Sequence, residues 1–173
     1  EGRMPNFARL REQGAYGRLT SQKPLLSPII WTTIATGKTP DQHRIGHFVA
    51  MNEKTGEQLP VTSRMRKTKA LWNIFSASGR SVGVVGWWAT WPAETVRGTV
   101  VSDHTCYHFL FTEGMTGAAD PTGIVYPPEV QEVIRGMVVR PTDLKPEDVQ
   151  PFAAVGAEEF ARPFAFDDEL GHF

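Results

Sequence analysis

The stretch that most constrains the fold is an amphipathic run followed at once by an uninterrupted apolar one. Over residues 67–78, Ala70, Leu71, Ile74, Phe75 and Ser78 share one face at helical spacing, and Gly79 supplies the stop. Ser81-Val-Gly-Val-Val-Gly86 then shows no polar alternation, the pattern of a strand buried on both faces. A helix leading directly into such a strand predicts an α/β fold with a mostly parallel sheet flanked by helices. Residues 98–102, Gly-Thr-Val-Val-Ser, read as another short strand.

Composition narrows the function classes. The chain has 173 residues, 40% of them hydrophobic and 21% charged, which is globular material of one-domain length. Eighteen basic against nineteen acidic residues leave a net charge of −1, against a general nucleic-acid binder. No apolar run approaches the roughly 18 residues of a membrane span. Cys106 is the only cysteine, which excludes an internal disulfide or a clustered-cysteine zinc site.

Along the chain, Met4-Pro5-Asn6 starts a helix with Phe7 and Leu10 on one face, and Gly14 ends it. Residues 15–20 alternate as a short strand, and 24–27 turn the chain. Residues 28–36 are β-branched, yet Ser27 at the N-cap, Pro28 at the first position and Gly37 past the end predict a short helix. Residues 48–51 and 58–61 flank Asn-Glu-Lys-Thr-Gly as a hairpin. After Asp103 the chain turns Gly/Thr/Phe-rich, with helices expected at 127–135 and after Lys145-Pro-Glu-Asp. The expected organisation is an α/β core over 1–103 and a cap-like insertion and return segment over 104–173.

Ser27 is the sharpest chemical candidate. A hydroxyl at a helix N-terminus sits where unpaired N–H groups and the helix dipole favour an anion such as a phosphate ester. It becomes a nucleophile if a base or metal removes its proton. From spacing alone a helix cap worth about 1 kcal/mol is the commoner role. His43 reads as ordering the turn after Pro40. Asp103 reads as a cap for the next segment or as a group facing the site. His104 and His108 have i,i+4 spacing but lie in poor helix context. Trp87, Trp88 and Trp91 read as packing before a substrate wall. Arg64, Arg66, Lys67 and Lys69 read as a solvated helix start.

The element Ser27-Pro-Ile-Ile-Trp-Thr-Thr-Ile-Ala-Thr36-Gly37-Lys38-Thr39-Pro40-Asp41-Gln42-His43 resembles the type I phosphodiesterase/nucleotide pyrophosphatase branch of the alkaline phosphatase superfamily. There a nucleophile lies ten residues before the Gly of a Thr-Gly-x-x-Pro-x-x-His element, as Ser27 lies before Gly37. Residues 4–14, 70–79, 82–92, 98–103 and 126–130 are similar to further stretches of the same family. The resemblance implies an alkaline-phosphatase-like core with part of an inserted cap. It also implies metal-dependent hydrolysis of phosphate mono- or diesters through Ser27, on a small phosphorylated substrate. The cofactors implied are two divalent ions, usually zinc, one of them meeting the Ser27 oxygen.

The chain departs from the pattern in its ligands. The first metal-binding Asp would precede residue 1, and Phe48 stands where nucleotide-cleaving members place an Asn. Lys38 and His47 lie nearby as substrate contacts or as plain surface residues. Asp168-Glu-Leu-Gly-His172 imitates the family's Asp-x-x-x-His metal pair, and also fits an exposed i,i+4 pair. The expectation is a segment of a longer enzyme, inactive alone and holding no metal by itself. Two alternatives stay open: a sulfatase or phospho-group transferase of the same superfamily, or a non-catalytic binding fragment.

Overall fold

The computed structural model describes residues 4–107, 122–139, 144–152, 154 and 156. The chain forms two compact units, residues 1–132 and 133–173. The first opens with α1 (Pro5–Gln13), which buries none of its residues. Residues 15–20 form no strand. No described strand lies alongside to take up their backbone groups, so Tyr16 and Leu19 stay exposed, with Arg11 over the Tyr16 ring.

Helix α2 (Ser27–Thr36) turns Pro28, Ile29, Thr32 and Ala35 inward, and Gly37 ends it at φ 62 with its N–H on the Thr33 carbonyl. The left-handed turn there is one that glycine adopts without steric cost. The one-turn helix α3 (Pro40–His43) follows, closed by Arg44 at φ 66. The hairpin β1 (Val49–Met51) and β2 (Gln58–Pro60) pairs antiparallel, with Val49 opposite Pro60. Asn52 and Gly56 close its tip.

Helix α4 (Leu71–Ala77) leads into β3 (Val82–Val85), as the sequence pattern predicts. It starts later than expected, because residues 66–69 are drawn into an extended, docked segment around Arg66. Its buried residue is Trp72. Leu71, Ile74 and Phe75 are about half exposed. They miss the core because β3 is the edge strand of the described sheet, so nothing described covers that side.

The sheet order is β3-β4-β5, with β4 at Gly98–Val101 and β5 at Val125–Tyr126. The β3–β4 pair is parallel and β4–β5 is antiparallel, so the described strands do not make the mostly parallel sheet expected. The crossover between the parallel strands, residues 86–97, contains no helix. Ala35, Ala70, Trp72, Val84, Val96 and Val100 form the core beneath it, with Trp87 and Tyr126 packed on its margin.

Gly98 stands opposite Val82 at φ 134, and a Cβ there would overlap the Val82 carbonyl oxygen. Gly98→Ala is expected to cost about 2 kcal/mol, from a strained φ and a backbone collision. Urea unfolding measures it, and an unchanged midpoint would contradict the pairing.

After β5 the chain enters α6 (Gln131–Met137), and the second unit contains α7 (Pro146–Val149) with Asp148 accepting the Lys145 N–H at 2.9 Å. Both helices lie near where the sequence places them.

Candidate active site

Ser27 is the first residue of α2 rather than its N-cap. Leu26 is extended at φ −101 and ψ 131, and its carbonyl accepts the Ile30 N–H at 3.0 Å. The helix therefore begins one residue earlier than the capping pattern suggests, with Pro28 second. No side chain caps it, and among the described residues the Ser27 hydroxyl makes no hydrogen bond. The first-turn N–H groups of Ser27 and Ile29 have no intrahelical acceptor. A half-buried hydroxyl beside two free donors at the positive end of a ten-residue helix suits an anion.

An aromatic cluster holds this helix against the end of β3. Trp31, one turn after Ser27, is 40% exposed and meets Trp87 edge-on, with centroids 4.8 Å apart. The Trp87 indole N–H also donates to the Trp31 carbonyl at 3.1 Å. Trp87 touches Trp72 at 5.9 Å, and Trp88 touches Phe48 at 5.3 Å. These contacts make Trp87 and Trp88 packing residues. They leave the carboxyl end of a parallel strand, where α/β folds gather their sites, next to α2.

His47 joins that cluster, with its ring 6.0 Å from that of Phe48. Lys38 does not. It is exposed and follows Gly37 at the far end of α2, about 15 Å along the axis from Ser27.

His43 is fully buried. Its Nδ1 accepts the Ile45 N–H at 3.1 Å, and its Nε2 lies 3.1 Å from Thr33 Oγ1, which also accepts from Gln22. With Nδ1 accepting, Nε2 carries the proton and donates to Thr33, so His43 ties α3 to α2 as a neutral ring. Burial pushes its pKa below the ordinary value, partly opposed by Asp41. A depressed histidine adds stability that is present above its unfolded pKa of about 6.5 and lost as pH falls through the folded value. The urea midpoint is expected to drop on acidification below that pH, and His43→Asn to flatten the drop. Equal slopes would contradict it.

Asp103 is nearly fully buried. Its carboxylate turns back to accept the N–H groups of Ala89 at 2.8 Å, Thr90 at 3.3 Å and Trp91 at 3.0 Å. Burial pushes its pKa above the usual range, and those three donors pull it back. His104 follows in α5 (His104–Tyr107), stacked on Trp91 at 4.2 Å. His108 lies outside the described residues.

Arg66 is not a solvated residue. Its side chain is 4% exposed and pairs with Glu94 at 2.6 Å, while Arg64, Lys67 and Lys69 are exposed as expected. Glu94 also accepts the Trp72 indole N–H at 2.7 Å. Neither the Asp103 cradle nor this network has a local sequence pattern, since Glu94 meets partners more than twenty residues away.

Among the described residues no three His, Cys, Asp or Glu side chains gather as a metal site. Asp168 and His172 lie outside them. The described residues by themselves therefore do not fit the implied metal pair. No described helix is long and apolar enough to cross a membrane.

No curated protein and no solved structure matches the chain. The family model of type I phosphodiesterase/nucleotide pyrophosphatase matches residues 1–155. That family supports a phosphoester hydrolase of phosphodiesterase type, and its members are generally metal-dependent. With the match spanning most of the chain, this protein belongs to the type I phosphodiesterase/nucleotide pyrophosphatase family.

Proposed function

We propose that Ser27 is the nucleophile of phosphoester hydrolysis in the protein to which this chain belongs. Its oxygen attacks phosphorus, the P–O bond to the leaving alcohol or phosphate breaks, and a phosphoserine ester forms. Water then attacks the same phosphorus and returns the serine hydroxyl. The observation that carries this reading is the free Ser27 hydroxyl beside unpaired first-turn N–H groups at the start of α2. Those donors suit the charge that develops on the non-bridging oxygens.

Two divalent ions, usually zinc in this superfamily, belong to the same proposal. Their ligands would have to come from outside the described residues, and Asp168 and His172 are this chain's own candidates. By this reading the segment alone is inactive. His47 remains a candidate contact for the substrate, while Lys38 would meet only a distant part of it. The proposed division near residue 103 places β5 within the cap-like insertion and return segment.

The test is hydrolysis of bis-p-nitrophenyl phosphate by the full-length protein carrying Ser27→Ala. Loss of turnover with an unchanged fold supports the reading, and retained turnover overturns it.

A further inference from the structure

We propose that Asp103 is a positioning residue for Ser27, acting through the 86–91 loop and Trp87; this rests on the nucleophile reading above. Asp103 is 5% exposed. Three consecutive backbone N–H groups, from Ala89, Thr90 and Trp91, converge on its carboxylate. Such a run of donors is an anion-binding concavity, and here the chain fills it with its own side chain. Ala89 is held at φ 58, a left-handed conformation uncommon for a non-glycine residue, so the loop needs an outside hold to keep this shape.

The hold passes outward in defined steps. Thr90 Oγ1 accepts the Asp103 N–H at 3.1 Å and donates to the Trp87 carbonyl. Trp87 donates its indole N–H to the Trp31 carbonyl. Trp31 lies on the same helix as Ser27, one turn on. A helical turn is stiff, so fixing Trp31 fixes where Ser27 stands one turn earlier on the same helix. The groups that act on the Asp103 carboxylate are the Ala89, Thr90 and Trp91 N–H groups and the Thr90 hydroxyl, all of them neutral donors. A buried carboxylate is a costly way to close a loop, and what it supplies is the geometry of three aligned donors.

The experiment compares Asp103→Asn, Trp87→Phe and the double variant with the parent protein on bis-p-nitrophenyl phosphate. Asparagine keeps the side chain's size and one acceptor but turns its amide toward Ala89 or toward Thr90 and Trp91. Small displacements of a nucleophile cost turnover more than binding, so each single variant is expected to lose about 10-fold or more in kcat with KM nearly unchanged. Residues on one path do not add, so the double variant should be no slower than the slower single one. Near-ultraviolet circular dichroism of the tryptophans should weaken in Asp103→Asn.

Parental kcat in a folded Asp103→Asn, or an additive double variant, would overturn the proposal. Trp87→Phe leaves the cradle whole, so parental kcat in it overturns the path even if the Asp103 variant does not fold. Ser27→Ala runs alongside. Turnover retained there would defeat the nucleophile reading, while the tryptophan dichroism of Asp103→Asn separately reads whether the carboxylate holds the loop.

Discussion

Ser27→Ala is expected to lower kcat for bis-p-nitrophenyl phosphate by at least about 10³-fold, the scale seen when a covalent nucleophile is removed and only binding and electrostatics remain. The free donors at the start of α2 survive the substitution, so KM should change little. Stability should change little as well. The hydroxyl accepts and donates no hydrogen bond among the described residues, and Leu26 rather than Ser27 caps the helix. Loss of a half-buried, unbonded hydroxyl stays within about 0.5 kcal/mol. Ser27→Cys keeps a nucleophile at the same point and should retain more activity than the alanine variant. A Ser27→Ala protein that folds and keeps parental kcat would remove Ser27 from the chemistry.

The largest effect on stability is expected from Glu94→Ala, at about 3 kcal/mol, because it strands a buried guanidinium. Arg66 donates to both Glu94 oxygens, to Asn73 Oδ1 at 3.1 Å and to the Thr68 carbonyl at 3.0 Å. Its guanidinium also lies 5.2 Å from the Trp72 ring centre. Without Glu94, that charge and the Trp72 indole N–H lose their common acceptor. Glu94 keeps 25% exposure, so water recovers part of the loss, which places the estimate at the low end for buried pairs. In thermal unfolding this corresponds to about 6–12 °C for a chain of this size. Arg66→Met with Glu94→Leu should cost less than Glu94→Ala alone, because neither leaves a bare charge. Equal losses would mean that the network contributes packing rather than paired charge.

Elements set by local pattern were legible in the sequence. The hairpin, the helix between Ser27 and Gly37 and the succession of α4 and β3 all follow from turn residues and hydrophobic period. A mostly parallel sheet was expected, and among the described strands only β3 and β4 pair that way. What failed depends on partners distant in sequence. The strand read at residues 15–20 has no described neighbour to pair with. The face of α4 was chosen by period, but Trp72, off that face, is the buried residue because Glu94 and Arg66 meet it from the crossover and the docked segment. Arg66 looked solvated because its neighbours in sequence are exposed cations. Asp103 looked like a cap because it closes an apparent strand, and nothing local announces three donors from residues 89–91. At the site, the family resemblance of residues 27–43 singled out Ser27, and the structure moves it one position into its helix.

The central claim is that Ser27 carries the phosphoryl group, and the most direct measurement is its capture. The full-length protein is mixed with bis-p-nitrophenyl phosphate, quenched in acid during turnover, digested and mapped by mass spectrometry. The account predicts a phosphoryl ester on the peptide containing Ser27, absent from the Ser27→Ala protein. Steady turnover with the ester on another residue, or with no covalent ester at all, would contradict it.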